Sequence, residues 1–277
     1  MDTLPRVLTF MFLVAAMLGV GMQTTTGDLR LLMESKGFFA RSLLANFVVV
    51  PIIGIVLARS FPLEPRVAAA FLLLACTPGG FNALQFTTKM KGKSSFAGII
   101  GLLMCLLAIF LSPVLLDFVV PHDISLVIPY RRALLFALLF LLIPMLAGAL
   151  LRSHSELLAE KLSKPCTIIS TVLFFAVSIL TMGIRKEAMH AVGKRGLLCM
   201  LLFIVISMTV GWLLGGPASG TRRVLATVTG MRNVAFCLLI AANTLPDPTV
   251  QTPLVAFSAL MLPPNMLLTA YTVIRSR

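Results

Sequence analysis

Acidic side chains are scarce in this chain and poorly placed for chemistry. Against 23 Lys and Arg there are 10 Asp and Glu. All of the acids (Asp2, Asp28, Glu34, Glu64, Asp117, Asp123, Glu156, Glu160, Glu187, Asp247) sit in polar connectors or at the ends of apolar runs. No apolar run therefore carries a mid-depth carboxylate to hold a cation or relay a proton. The three histidines, His122, His154 and His190, also fall in connectors, which leaves no Ser/His/Asp or metal-ligating constellation and argues against an enzyme. The five cysteines (Cys76, Cys105, Cys166, Cys199, Cys237) form no CxxC pair and read as packed helix residues. Only 12% of residues are charged, about half the usual share of a globular domain.

What fills the chain instead is apolar. The 277 residues are 58% hydrophobic with a mean hydropathy of +1.01, so the solvent for most of them is lipid. A net charge of +13 would suggest a nucleic-acid partner in a soluble protein. Here the Lys and Arg lie between apolar runs and read as topology signals facing acidic headgroups, with no nucleic acid implied.

A bilayer-spanning helix needs roughly 17 to 25 mainly apolar residues. Nine runs qualify: 7–23, 42–58, 67–88, 96–120, 133–151, 168–184, 196–214, 224–242 and 253–274. The first reads as a span rather than a cleaved leader, since only Arg6 precedes it and eight more runs follow. Placing the amino terminus outside puts the larger share of Lys and Arg, including Arg41, Lys89, Lys91, Lys93, Arg222 and Arg223, on the cytoplasmic side. A bacterial inner membrane is the expected location.

Two spans are interrupted. The third contains Thr77-Pro78-Gly79-Gly80-Phe81-Asn82, where proline removes a backbone donor and the glycine pair accepts nearly any backbone angle. The eighth contains Thr227-Val228-Thr229-Gly230-Met231-Arg232-Asn233, with Arg232 as the one basic residue inside an apolar run. Pro263-Pro264-Asn265 in the last span marks a kink. Irregular backbone at membrane depth persists only where protein or a cavity covers it, and paired broken spans point to a transporter's binding site. The halves correspond as 1–120 and 121–277, four helices and then five, if the first has lost its leading helix.

These residues resemble the bile acid:sodium symporter family. The resemblance rests on Met17-Leu18-Gly19-Val20-Gly21-Met22, Asn46-Phe47-Val48-Val49-Val50-Pro51, Pro78-Gly79-Gly80 and Gly230-Met231-x-Asn233, in matching order and spacing. It implies an all-α membrane protein of two inverted repeats, with panel and core domains, two crossed discontinuous helices and alternating access. The sodium ligands expected from the family are largely missing. Ala83 and Leu84 stand for a Ser-Asn pair, Ala97 and Gly101 for hydroxyls, Asn46 and Arg232 for glutamines, and Val228 for a glutamate.

The expectation is a secondary transporter of a small organic anion, without cofactor or sodium. A guanidinium offers five donors to a planar carboxylate, sulfonate or sulfate. Arg232 therefore has two readings: it binds substrate, or it replaces a cation structurally, held by helix carbonyls and Asn46. Asn46, Asn82, Gln85, Thr87 and Thr88 are candidate cavity residues, and Asn233 is a helix cap and secondarily a substrate contact. The lysines at 89, 91 and 93 would add an electrostatic funnel for anions. The alternatives are a sodium symporter using carbonyls and the hydroxyls of Thr227 and Thr229, or a non-transporting binding protein of the same fold. With two Tyr and one Trp, nothing selects a steroid over a short keto acid.

Overall fold

The computed structural model describes residues 3–25, 27, 30, 35–79, 94–119, 131, 135–136, 138–184, 186–244 and 250–275. Regular structure among them is helical: α1 Thr3–Gln23, α2 Lys36–Leu44, α3 Val50–Ser60, α4 Pro65–Cys76, α5 Ser94–Val119, α6 Ile143–His154, α7 Glu156–Ile184, α8 Lys186–Leu214, α9 Ser219–Gly230, α10 Val234–Thr244, α11 Gln251–Leu260 and α12 Leu262–Arg275. Each of the nine expected spans overlaps one or two of these helices, and residues 80–88 of the third lie outside the described residues.

Prolines explain the irregular joints. Pro51 and Pro144 cannot donate to the carbonyl four residues back, and in both cases a π-helical turn precedes the proline, Ala45–Val49 before α3 and Leu138–Leu142 before α6. The last span is interrupted at Met261, so that Pro263 and Pro264 fall in the first turn of α12, where a missing N–H is harmless. α8 bends at Gly193, whose φ is 57°.

Two sets of helices emerge from the packing. In one, α1 lies against α6 and α7. Phe10 stacks on Phe140 with ring centroids 4.4 Å apart, and Phe12 meets Phe174 at 5.4 Å. Gly21 and Gly148 let the backbones of α1 and α6 touch, since a Cβ on Gly21 would collide with the Met145 carbonyl and one on Gly148 with that of Leu18. Small residues at a helix interface serve this close approach in membranes. In the other set, α8 packs on α9 and α11, α3 on α4 and α8, and α5 on α4 and α9.

The outer surface is apolar in stripes. Val7, Met11 and Val14 on α1, and Ile168, Val172, Phe175 and Ile179 on α7, recur at helical spacing and are exposed. Water would not tolerate such stripes, whereas acyl chains would. Among the described residues, Lys36–Ser60, Val192–Leu214 and Gln251–Tyr271 are each long and apolar enough to cross a bilayer. The protein is an integral membrane protein built from helices.

Candidate functional site

Pro78 decides the geometry of the first break. Its missing N–H leaves the Leu74 carbonyl, four residues back, without its helical donor. α4 ends at Cys76, Thr77 leaves helical angles, and Gly79 follows with φ 85°. The Leu74 carbonyl keeps one bond, from the Thr77 N–H at 3.2 Å, and with the Ala75 carbonyl it also accepts from the second interrupted span.

That span is helical through Gly230, so the break is narrower than the sequence suggested: Gly230 closes α9, and only Met231 to Asn233 depart from the helix. Gly230 serves close packing instead, because a Cβ there would collide with the Met208 side chain. Asn233 opens α10, its Oδ1 accepting from the Phe236 N–H at 3.0 Å. The two breaks cross as a short antiparallel bridge between Pro78 and Arg232, with the Asn233 N–H donating to the Thr77 carbonyl at 3.1 Å.

Arg232 fills the crossing. It is 1% exposed, and its Nε donates to the Leu74 carbonyl at 3.0 Å while one terminal nitrogen donates to the Ala75 carbonyl. The other terminal nitrogen donates to Asn46 Oδ1 at 3.2 Å. Asn46 sits in the π-helical turn before α3 and is fixed from its other end, its Nδ2 donating to the Ser42 carbonyl at 3.0 Å. The guanidinium lies 5.9 Å from the centre of the Phe203 ring, which is wedged between Phe71 and Phe257. Thr77 Oγ1 donates to the Leu73 carbonyl at 2.8 Å and lies 2.8 Å from Cys237 Sγ, tying α4 to α10.

The electrostatics follow from helix direction. The carboxyl ends of α4 and α9 both arrive at the crossing, each carrying roughly half a negative charge, so together they match one guanidinium. The donors of Arg232 are spent on carbonyls and Asn46.

The remaining candidates distribute unevenly. Gly80, Asn82, Ala83, Leu84, Gln85, Thr87, Thr88 and the lysines at 89, 91 and 93 lie outside the described residues, as does the Ala97 side chain. Gly101 is half-buried in α5 with open space beside it. Val228 is buried in the apolar core. The Thr229 hydroxyl returns to its own helix, donating toward the Leu225 and Ala226 carbonyls at 2.8 and 3.0 Å, and is not turned toward an ion. A sodium ion needs a shell of oxygens. Here a guanidinium already occupies the Leu74 and Ala75 carbonyls and the Asn46 oxygen, so these residues do not fit the ion.

Sequence reasoning missed Phe203 and Cys237, and it expected helix carbonyls around Arg232 without naming which two. For the Leu74 carbonyl the signal was present, since Pro78 names the oxygen four residues before it. Phe203 and Cys237 lie in apolar runs that single out no residue.

The family model described as sodium bile acid symporter family matches residues 10–191. A probable chloroplastic sodium/metabolite cotransporter of Arabidopsis thaliana is 25% identical over 252 residues, covering 88% of this chain and 61% of the relative. The hepatic sodium/bile acid cotransporter of Rattus norvegicus is 25% identical over 268 residues, covering 94% of this chain and 73% of the relative. An uncharacterized sodium-dependent transporter of Bacillus subtilis is 23% identical over 235 residues, covering 80% of this chain and 70% of the relative. The chain thus spans about three fifths of the Arabidopsis relative's length. With more than half of its residues under that model, the chain belongs to the sodium bile acid symporter family.

Proposed function

We propose that the protein is a secondary transporter that moves a small organic anion by alternating access, with Arg232 as a permanent cation in place of a co-transported sodium ion. One observation carries this reading: a buried guanidinium held by the Leu74 and Ala75 carbonyls and Asn46. A cation bound to the chain stabilises the crossing whether or not cargo is present. In a sodium-coupled carrier the crossing acquires its cation only on loading. Relatives named as sodium/bile acid or sodium/metabolite cotransporters support transport and the anionic class of cargo. The cargo, a carboxylate, sulfonate or sulfate, would bind beside the crossing; Asn82, Gln85 and Thr87, which follow the Pro-Gly-Gly segment in the sequence, are its proposed polar contacts, with Asn233 a further one. The two repeats, 1–120 and 121–277, each contribute one break. The bias of Lys and Arg supports an outside amino terminus, and a bacterial inner membrane remains the proposed setting.

Uptake of labelled organic anions into liposomes holding the purified protein tests this, with sodium or choline outside. Equal uptake in both media, lost in Arg232→Ala, is the expected result. Strict dependence on sodium in the wild type would restore the symporter reading with non-standard ligands. Saturable anion binding without flux in either medium would leave a non-transporting binding protein.

A further inference from the structure

A second pair of arginines converges at the end of the bundle where α8 hands over to α9. Gly216, in the left-handed region at φ 89°, makes the turn. Arg222, in the first turn of α9, donates from Nε to the Gly216 carbonyl at 2.6 Å. Arg41, from α2, approaches the same glycine so closely that a Cβ on it would lie 2.8 Å from a terminal guanidinium nitrogen. The Arg41 Nε is buried without an acceptor among the described residues. α9 has no acidic residue in its first turn and no side-chain cap, so its free N–H groups add positive potential to two guanidiniums. Among the acids whose side chains are described, Glu64, Glu156 and Glu160 are engaged elsewhere, with Arg66 and Arg152. Two half-buried arginines beside an uncapped helix start repel one another unless an anion lies between them.

An apolar groove begins one turn away. Its cavity of about 380 Å³ lies among α8, α9 and α12 and is lined by Val205, Met208, Thr209, Trp212, Ala226 and Leu267, among others. Val205, Met208, Thr209 and Trp212 share one face of α8, and Trp212 lies four residues before Gly216. Ala226 is one turn beyond Arg222 on the same face of α9. Thr209 turns its hydroxyl to its own helix, to the Val205 carbonyl, which keeps the groove apolar. Leu267 is 71% exposed, so the groove opens on the lipid-facing surface.

We propose that this is a binding site for one anionic phospholipid, its phosphate between Arg41 and Arg222 and one acyl chain along the groove past Trp212. Charge fixes the headgroup, and the continuous apolar face below it takes the chain. The site is separate from the crossing and does not depend on what the protein transports.

Trp212 is the chain's one tryptophan, so it reports on the groove directly. Its fluorescence is measured with the purified protein in neutral carrier lipid, adding phosphatidylglycerol or phosphatidylcholine with brominated chains. Phosphatidylglycerol should quench at about tenfold lower mole fraction, the discrimination one charge-assisted hydrogen bond supplies. In Arg41→Gln/Arg222→Gln the two lipids should quench alike. Equal quenching in the wild type, which needs no variant to fold, overturns the proposal, as does a preference unchanged in the variant. Loss of the preference on adding inorganic phosphate, but not chloride at equal ionic strength, overturns it in favour of a soluble-anion site.

Discussion

The two broken spans meet at one crossing but contribute opposite chemistry. The break after α4 is made by proline and gives up acceptors: the Leu74 and Ala75 carbonyls lose their helical donors. The break after α9 supplies donors: the Arg232 guanidinium and the Asn233 N–H, which bonds to the Thr77 carbonyl. Each break alone would strand buried polar groups at a cost of about 1 to 3 kcal/mol apiece. Together they satisfy one another. The two breaks are thus complementary, where two breaks of the same kind would have left both short of donors.

That complementarity can be broken one side at a time. The largest effect belongs to Arg232→Ala, which strands the Ala75 carbonyl and the Asn46 amide oxygen, leaves the Leu74 carbonyl with only its bond from Thr77, and opens a cavity. Each neutral acceptor left unpaired costs about 1 to 3 kcal/mol, and the cavity adds to that. Thermal unfolding in detergent should show a marked drop in Tm, and sodium-independent uptake should vanish. Retention of wild-type Tm would mean the guanidinium contributes nothing to the crossing. Arg232→Gln sharpens the test, because a neutral amide leaves room for a cation. Residual uptake should then respond to sodium, and indifference to sodium would separate Arg232 from any cation role.

Asn46→Leu comes next. It removes one acceptor from a buried guanidinium, a loss of roughly 1.5 to 3 kcal/mol read from denaturant midpoints, with the other two bonds keeping Arg232 in place. Asn233→Ala deletes the cap of α10 and should cost about 1 kcal/mol. A larger loss in that variant would assign Asn233 a role beyond capping. Thr77→Val is the mildest: it removes the hydroxyl from the Leu73 carbonyl and from Cys237 while keeping the β-branched shape, for about 1 kcal/mol. Uptake at near wild-type level is expected, and its loss would move Thr77 into the transport machinery.

Much of this crossing was legible in the sequence because its makers are chemically conspicuous. An arginine in an apolar run, a Thr-Pro-Gly-Gly break and a solitary asparagine at 46 stand out against aliphatic neighbours, and Arg232 and Asn46 lie 3.2 Å apart. What stayed hidden was direction. A sequence marks where a helix starts and stops but not which ends face a given charge, so the two carboxyl ends at Arg232 were unseen. Thr227 and Thr229 looked like spare ligands, although a threonine inside a helix commonly returns its hydroxyl to the preceding turn, as Thr229 does. The pairing of Arg41 with Arg222 was invisible for another reason. Both read as ordinary topology charges, and only the turn at Gly216 brings them together.

The covalent tether of Arg232 also bears on energetics. A carrier whose internal cation is part of its own backbone-bound lattice returns that cation with every cycle, so on the proposed reading the net charge moved is the cargo's alone. Across an inside-negative membrane each anionic charge is pushed outward by about 2.3 kcal/mol per 100 mV. Left to itself, such a carrier runs as an exporter, and accumulation inside would require exchange for another anion or a proton travelling with the cargo.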